Sequence, residues 1–380
     1  MDLVAGRVWS DERRPIRHVD WFLIGLIAVM VVIGLFLLYS ATNQTLRQDG
    51  ADPFARVKKQ AVAAMIGCAL AMVIATFDYR FFKVYAGFIY AGTVLLMAVL
   101  LIPGVASDTG AYIDIPGVSL LQITPPEFAK LGVLVMVATY LSELRTPEPV
   151  ARDVVRVVVL AGLGLGLMIA NVEIGSAIAL TAMVVGVLVV AGARPKQLAV
   201  LAFGALVLIV LAFQLHVIKE YQLDRMRAFL DREGVSEDVR YNLDQSLIAV
   251  GSGGLFGRGY LSGTQTNLDY VPEQHTDFIF TVAGEEFGFV GSLFVLLLFG
   301  LLLWRAIRIA SLSKDPFGTY VASGIAMMFA IQMFVNVGMV IGIMPITGIP
   351  LPFLSYGGSS MLASFIAVGM LESIHMRRFK

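Results

Sequence analysis

Three acidic side chains and one lysine stand where polar stretches of the sequence meet long apolar runs. Glu127 and Lys130 are three residues apart in "TPPEFAK", so a helix would place them on one face. Glu173 lies between two apolar runs in "NVEIG", and Asp277 precedes a third run in "VPEQHTDFIF". A charge near the start of a membrane span is costly unless it is paired or faces water. The four residues predict either ion pairs and turns, or a polar cavity in which Lys130 meets an anionic substrate.

Asp277 has a structural interpretation beside the catalytic one. It can be the N-cap of the helix that follows, because a carboxylate there accepts a backbone N–H. Thr276 can cap that helix equally well, which would leave the Asp277 carboxylate directed at a cavity. Glu273 and His275 share this loop, and His275 can assist proton transfer, although a single loop histidine is more often a solvated polar group.

An interrupted apolar region supplies further polar groups. Three prolines and five glycines break up residues 336–360. Interrupted helices at membrane depth require protein or water to satisfy the freed backbone groups, so this region predicts a cavity. Ser355 and Ser359 can supply hydroxyls to that cavity or bond to neighbouring backbone groups.

Two other patterns favour structural roles. The glycine-rich stretch 251–259 does not fit the G-x-x-x-x-G-K-[ST] phosphate loop, and we expect its glycines to allow close backbone packing. Glu285 and Glu286 would lie about 12–14 Å beyond Asp277 along a helix, where adjacent carboxylates cannot both face lipid. We expect the pair to satisfy broken backbone nearby, in preference to lining a cavity.

The elements that must position these residues are membrane helices. The 380 residues are 58% apolar and 15% charged, with a mean hydropathy of +0.81. The apolar residues form runs of about 17–25, the length that crosses a bilayer as a helix. This pattern predicts a single all-α polytopic membrane domain. The net charge of zero argues against a nucleic-acid partner, and the one cysteine excludes an intramolecular disulfide or a cysteine-based metal site.

Ten spans are predicted. The loops on one side of them are all basic, so the positive-inside rule places that side and both termini in the cytoplasm. The four charged residues and a large loop, 219–277, then lie on the extracytoplasmic side, whereas basic segment 42–59 runs against the rule. The predicted spans are 21–41, 60–77, 84–103, 127–143, 155–171, 174–192, 197–218, 278–304, 318–344 and 351–372, after an N-terminal segment 1–19.

Two motif regions resemble the SEDS family (shape, elongation, division and sporulation). One is Asn336, Gly342, Pro345, Gly348 and "SYGGSS" at 355–360; the other is "QSLIAVGSGGLFGRGYLSGTQ" with "PEQHTDFIF". The similarity extends from about residue 20 to the end. The variant "GIMPITGIPLPF" is more similar to the elongation members than to the division members.

The resemblance implies a ten-helix glycosyltransferase of the bacterial cytoplasmic membrane that polymerises lipid II into peptidoglycan strands. It also implies a class B penicillin-binding protein as partner, with other elongation-complex membrane proteins and membrane lipid. Asp277 aligns with the family's essential outer-loop aspartate, the expected catalytic base. Glu127 and Lys130 align with its Glu-x-x-Lys, and Glu173 with the acid of "QPDLG".

The implied reaction also requires charge near a leaving pyrophosphate. Lys130 is the leading candidate, with Arg56 and Lys59 as further candidates, and a divalent cation, Mg²⁺ or Mn²⁺, can share the role. The sequence departs from the family in "GAYID", which lacks an arginine, in "TPPE", and in Glu173, which replaces aspartate. A lipid II flippase and a non-enzymatic scaffold for a transpeptidase remain alternative functions.

Overall fold

The computed structural model describes part of the chain, and the regular secondary-structure elements in that part are all helices. That part comprises residues 18–102, 123–146, 148–171, 173–214 and 237–378. The "GAYID" departure, in the predicted loop 104–126, lies outside it. The helices are α1 Trp21–Gln48, α2 Ala55–Thr76, α3 Arg80–Val84, α4 Ala86–Val99, α5 Pro125–Ser142, α6 Ala151–Ala170, α7 Ile174–Val190, α8 Pro195–Gln214, α9 Glu237–Ser252, α10 Thr264–Asn267, α11 Ile279–Ser311, α12 Pro316–Val340 and α13 Gly358–Met376.

The all-α polytopic membrane fold is confirmed. Six of these helices (α1, α2, α6, α11, α12 and α13) are long and apolar enough to cross a membrane, and α4, α7 and part of α8 are shorter apolar helices. Each of the ten predicted spans coincides with a helix.

Several predicted span boundaries are wrong by about a turn or more, and two of them concern the candidate site. Helix α2 begins at Ala55, so Arg56 and Lys59 lie on the helix and not in the loop before it. Helix α13 begins at Gly358 rather than at 351. The chain before it is irregular because Pro350 and Pro352 cannot donate backbone hydrogen bonds and Phe353 has a φ of +66°.

The helices define two ends of the bundle. We call the end where α1, α4, α6 and α12 begin the basic end, and the end where α2, α5, α7, α11 and α13 begin the loop end. Helix α13 runs parallel to α2, and α12 packs against α5, α7, α9, α11 and α13. Segment 341–357, between α12 and α13, is non-helical and lies at the loop end. The predicted interruption is therefore present.

Helix α11 is kinked near the loop end, at Gly288, whose φ is +65°. The carbonyl oxygens of Glu285 and Glu286 accept hydrogen bonds from the backbone N–H groups of Arg258 and Gly259, each at 3.0 Å. In the other direction, the Phe289 amide donates to the Gly254 carbonyl at 2.9 Å. The loop after α9 thus replaces the hydrogen bonds that the kink removes from the helix.

Close packing explains the glycine-rich stretch. A Cβ atom at Gly253 would overlap the Gly284 carbonyl oxygen, and one at Gly257 would overlap that of Glu286. Glu285 Oε2 accepts from the Thr266 amide at 2.9 Å and from the Thr266 hydroxyl at 2.7 Å. These contacts support the structural interpretation of both the glycines and the acidic pair.

The basic end is held by acids that are both capping and paired. Asp20 caps α1 through the Leu23 amide and forms an ion pair with Arg305. Asp315 caps α12. It accepts from the Tyr79 hydroxyl at 2.6 Å and lies 3.0 Å from the Arg80 guanidinium.

Candidate functional site

The Lys130–Glu127 pair lies inside the protein at the loop end. Pro125 and Pro126 occupy the first turn of α5, where the missing N–H groups cost nothing, and the acid and lysine follow on one face. Lys130 Nζ is 2.8 Å from Glu127 Oε1, and the two residues are only 1% and 6% exposed. The predicted salt bridge is therefore present, but buried. A buried pair carries a large desolvation cost, so its position requires a reason beyond stability.

Glu173 lies within electrostatic range of this pair and of Asp277. Burial, helped by the negative charges of Glu127 and Asp277 and opposed by Lys130, raises the pKa of the Glu173 carboxyl to about 7. Ser176 donates a hydrogen bond to Glu173 Oε2 at 3.3 Å. Glu173 is the N-cap residue of α7, but its side chain makes no cap hydrogen bond. The structure thus places Glu173 within electrostatic range of one lysine and two further carboxylates.

Contrary to the prediction from the sequence, neither Thr276 nor Asp277 occupies the N-cap position of α11. The N-cap residue is Phe278, whose side chain makes no cap hydrogen bond. The chain turns at Glu273, whose φ is +54°, and the Thr276 hydroxyl donates back to that residue's carboxylate at 2.8 Å. Asp277 is half-buried and lies one residue before the N-cap residue.

Arg56, another basic candidate, lies within electrostatic range of His275. Burial, helped by the positive charge of Arg56 and opposed by Glu273, lowers the pKa of the His275 imidazole to about 4. His275 is therefore neutral at pH 7. Its ring centroid is 5.8 Å from that of Tyr356. Lys59 is half-buried one turn after Arg56 on α2.

The predicted serines bond to backbone. Ser355 Oγ accepts from the Leu351 amide at 2.8 Å, within the interrupted segment. Ser359 Oγ accepts from the Thr124 amide at 2.9 Å, just before the prolines of α5. Both hydroxyls therefore shape the walls of the site.

Two buried amides were not predicted as site residues. Gln60 Nε2 donates to the Ser355 carbonyl at 2.9 Å, and its Oε1 accepts from the Gly357 amide at 3.1 Å. Asn336 Nδ2 donates to the carbonyl oxygens of Asp277 and Ile349. A polar residue inside an apolar run is the available sequence signal for each, but it does not reveal the partner.

The acidic residues could bind a divalent cation only if the phosphates of a substrate supplied further ligands. No group of three or more His, Cys, Asp or Glu side chains in the described ranges is arranged to hold a metal ion. Glu173 lies within electrostatic range of the carboxylates of Glu127 and Asp277 as well as of Lys130. Mg²⁺ commonly binds through one or two carboxylates plus substrate phosphates. Glu173 and Asp277 are the carboxylates that fit that pattern.

Comparison with known proteins places the chain in a family. The FtsW/RodA/SpoVE model, described as a cell cycle protein, matches residues 20–380. A protein of Trichlorobacter lovleyi named "Probable peptidoglycan glycosyltransferase FtsW" is 34% identical over 368 residues, which cover 95% of each chain.

Comparison with solved structures supports the same family assignment. One, described as "Structural coordination of polymerization and crosslinking by a peptidoglycan synthase complex", has a TM-score of 0.79 at 29% identity and covers 95% of this chain and 99% of that one. The rod shape determining protein RodA of Thermus thermophilus has a TM-score of 0.68 at 29% identity, covering 95% of this chain and 98% of that one. The chain belongs to the FtsW, RodA and SpoVE family, the SEDS family of membrane peptidoglycan glycosyltransferases.

Proposed function

We propose that this family member polymerises lipid II into β-1,4 glycan strands during cell elongation. The observation that carries the proposal is the buried Lys130–Glu127 pair within electrostatic range of Glu173, which itself lies within range of Asp277. A purely structural ion pair needs neither the two further acids nor the interrupted backbone beside them.

The proposed reaction is an inverting displacement. The 4-hydroxyl oxygen of the acceptor sugar attacks the anomeric carbon of the donor, and the bond from that carbon to undecaprenyl pyrophosphate breaks. Asp277 takes the hydroxyl proton as general base. The distance from Asp277 to a bound hydroxyl must be set by the surrounding backbone, because its own side chain has only two rotatable bonds.

Positive charge must meet the departing pyrophosphate. Lys130 is the proposed principal contact, held near the site by Glu127, with Arg56 and Lys59 as further contacts. Electrostatic stabilisation of this kind is worth most where water is excluded, and Lys130 is almost completely buried. A divalent cation, Mg²⁺ or Mn²⁺, held by Glu173 and Asp277 would supply additional charge to the phosphates.

The proposed setting is the outer face of the bacterial cytoplasmic membrane, with both termini inside the cell. The basic loops at the basic end support this orientation. We also propose a class B penicillin-binding protein as partner, together with other membrane proteins of the elongation complex and membrane lipid. The solved relative in a peptidoglycan synthase complex supports a partner, and the "GIPLPF" variant supports an elongation role.

The test is polymerisation in detergent. Purified protein, lipid II, a matched class B penicillin-binding protein and Mg²⁺ should yield glycan polymer, and Asp277→Asn should yield none. Asp52→Asn is the matched control, because Asp52 is an exposed acid at the same end that pairs with Lys58. Full polymer yield from Asp277→Asn would remove Asp277 as base. A wild-type protein that moves lipid II across vesicles but makes no polymer would favour the flippase alternative.

A further inference from the structure

Asn336 joins three separate parts of the loop end. It lies in the last two turns of α12 and is fully buried. Its amide nitrogen donates one hydrogen bond to the Asp277 carbonyl and one to the Ile349 carbonyl, each at 2.7 Å. A single side chain thus connects α12, the loop before α11 and the interrupted segment.

Both acceptors lie in backbone outside the helices. The Asp277 carbonyl precedes α11, which begins at Ile279, and the Ile349 carbonyl lies between Gly348 and Pro350 in the interrupted segment. A buried carbonyl without a donor is costly, so backbone of this kind depends on side-chain donors. The two hydrogens of the Asn336 amide match two such carbonyls.

A second connection lies two residues away. The Tyr356 amide donates to the His275 carbonyl at 2.9 Å. Gln60, on α2, holds the residues on both sides of Tyr356. The interrupted segment therefore bonds directly to the His275 carbonyl, is linked to the Asp277 carbonyl through Asn336, and is itself anchored to α2 by Gln60.

The side-chain oxygen of Asn336 takes no part in these connections. This Oδ1 atom is buried without a hydrogen-bond partner among the described residues. Replacement by leucine, which has nearly the same shape, therefore removes the two donated hydrogen bonds and little else.

We propose that Asn336 is a positioning residue, which sets the location of Asp277 through its backbone. The role rests on the proposed function of Asp277 as the general base. The N-cap residue of α11 is Phe278, whose side chain makes no cap hydrogen bond, and the Asn336 amide contacts the backbone one residue before it. Its loss should impair the chemical step more than the binding of lipid II, because displacement of a reacting group by about 1 Å can cost about 100-fold in rate.

The main test compares Asn336→Leu with wild type in the detergent assay. We expect kcat to fall by about 10- to 100-fold while KM for lipid II changes by less than about threefold. Gln332→Leu is the control, because it removes another buried amide one turn earlier on α12. It should retain kcat close to wild type.

The outcomes separate the two proposals. A wild-type protein that makes no polymer would refute the proposed function. A wild-type protein that is active beside an equally active, equally stable Asn336→Leu would refute the positioning role alone, as would a loss carried mainly by KM.

A second variant tests the positioning role even if Asn336→Leu fails to fold. Asn336→Asp keeps the shape but, when ionised, presents negative charge to two carbonyl oxygens; when protonated, it can donate to one of them. Its activity relative to wild type should therefore rise several-fold as the pH falls from about 8 to about 6, where a buried carboxyl gains a proton. A ratio that does not change with pH would contradict the role.

Discussion

The two ends of the bundle use acids at helix starts in opposite ways. At the basic end, Asp20 and Asp315 each cap a helix and each have an arginine partner. At the loop end, the Glu173 side chain makes no cap hydrogen bond, although Glu173 is the N-cap residue of α7, and it lies within electrostatic range of Lys130, Glu127 and Asp277. The same residue type in the same sequence context thus stabilises a helix start at one end and contributes charge to a shared site at the other.

The pKa values of Asp315 at the basic end and Glu173 at the loop end show this difference. Although burial alone would raise it, hydrogen bonds from Tyr79, Gly318 and Arg80 hold the pKa of Asp315 below its usual value. Burial and neighbouring acids instead raise the pKa of Glu173 to about 7. An acid that stabilises the fold accepts hydrogen bonds from several donors. An acid placed among like charges instead favours a ligand that carries positive charge or protons.

The largest expected effect comes from Lys130→Met. It leaves Glu127 buried without its ion-pair partner and removes the positive charge near Glu173, so we expect loss of polymerisation and a fall in unfolding free energy of about 3–5 kcal/mol, as for other broken buried pairs. Thermal unfolding in detergent and the polymer assay measure the two losses. Lys58→Met, which breaks an exposed pair at the same end, should change neither. A stable, active Lys130→Met would abolish the distinction between the two ends.

Arg305→Met should separate stability from activity. It removes the partner of Asp20 at the basic end, and we expect a loss of about 2–4 kcal/mol because the acid remains buried. Thermal unfolding should fall accordingly, while kcat of the folded fraction stays near wild type. A kcat that falls as far as in Lys130→Met would show that the basic end also serves catalysis.

The pH dependence of stability should sharpen the comparison further. Glu173 has a folded-state pKa raised from 4.5 to about 7, so the folded protein binds the extra proton and its stability falls as pH rises through that range. Glu173→Gln removes this contribution, so its Tm relative to wild type should rise by about 5 °C between about pH 5 and about pH 8. A constant Tm difference would mean that Glu173 is ionised throughout.

The smallest expected effect is that of Tyr79→Phe. It removes one hydrogen bond to Asp315 and keeps the Arg80 contact, so we expect a loss of about 1 kcal/mol and unchanged polymerisation. Tm in detergent is the measurement. A change in polymer yield without a change in Tm would contradict a purely structural role.

Local signals predicted much of the fold. The ten spans follow from apolar run length, the Lys130–Glu127 pair from residues three apart on a helix, and the break after α12 from its prolines and glycines. These properties depend on neighbours in sequence, so a single chain reveals them.

Long-range contacts account for what was not predicted. The N-cap of α11 was not predicted correctly because the chain turns at Glu273 in a positive-φ conformation, which is uncommon for glutamate. The roles of Gln60 and Asn336 depend on carbonyls 295 and 59 residues away in sequence, which no local pattern identifies. The roles of Lys130, Arg56 and Lys59 toward a pyrophosphate stay predictions that the experiments above test.

The kink in α11 has a consequence for local dynamics. The Phe289 and Val290 amides lie inside a membrane-spanning helix, yet their hydrogen-bond acceptors are Gly254 and Leu255 of the loop. Amide hydrogen exchange at these two positions therefore measures how often the loop detaches, not how often the helix frays. The loop and the first turns of α11 should open as one cooperative unit, carrying the backbone next to Asp277 with them.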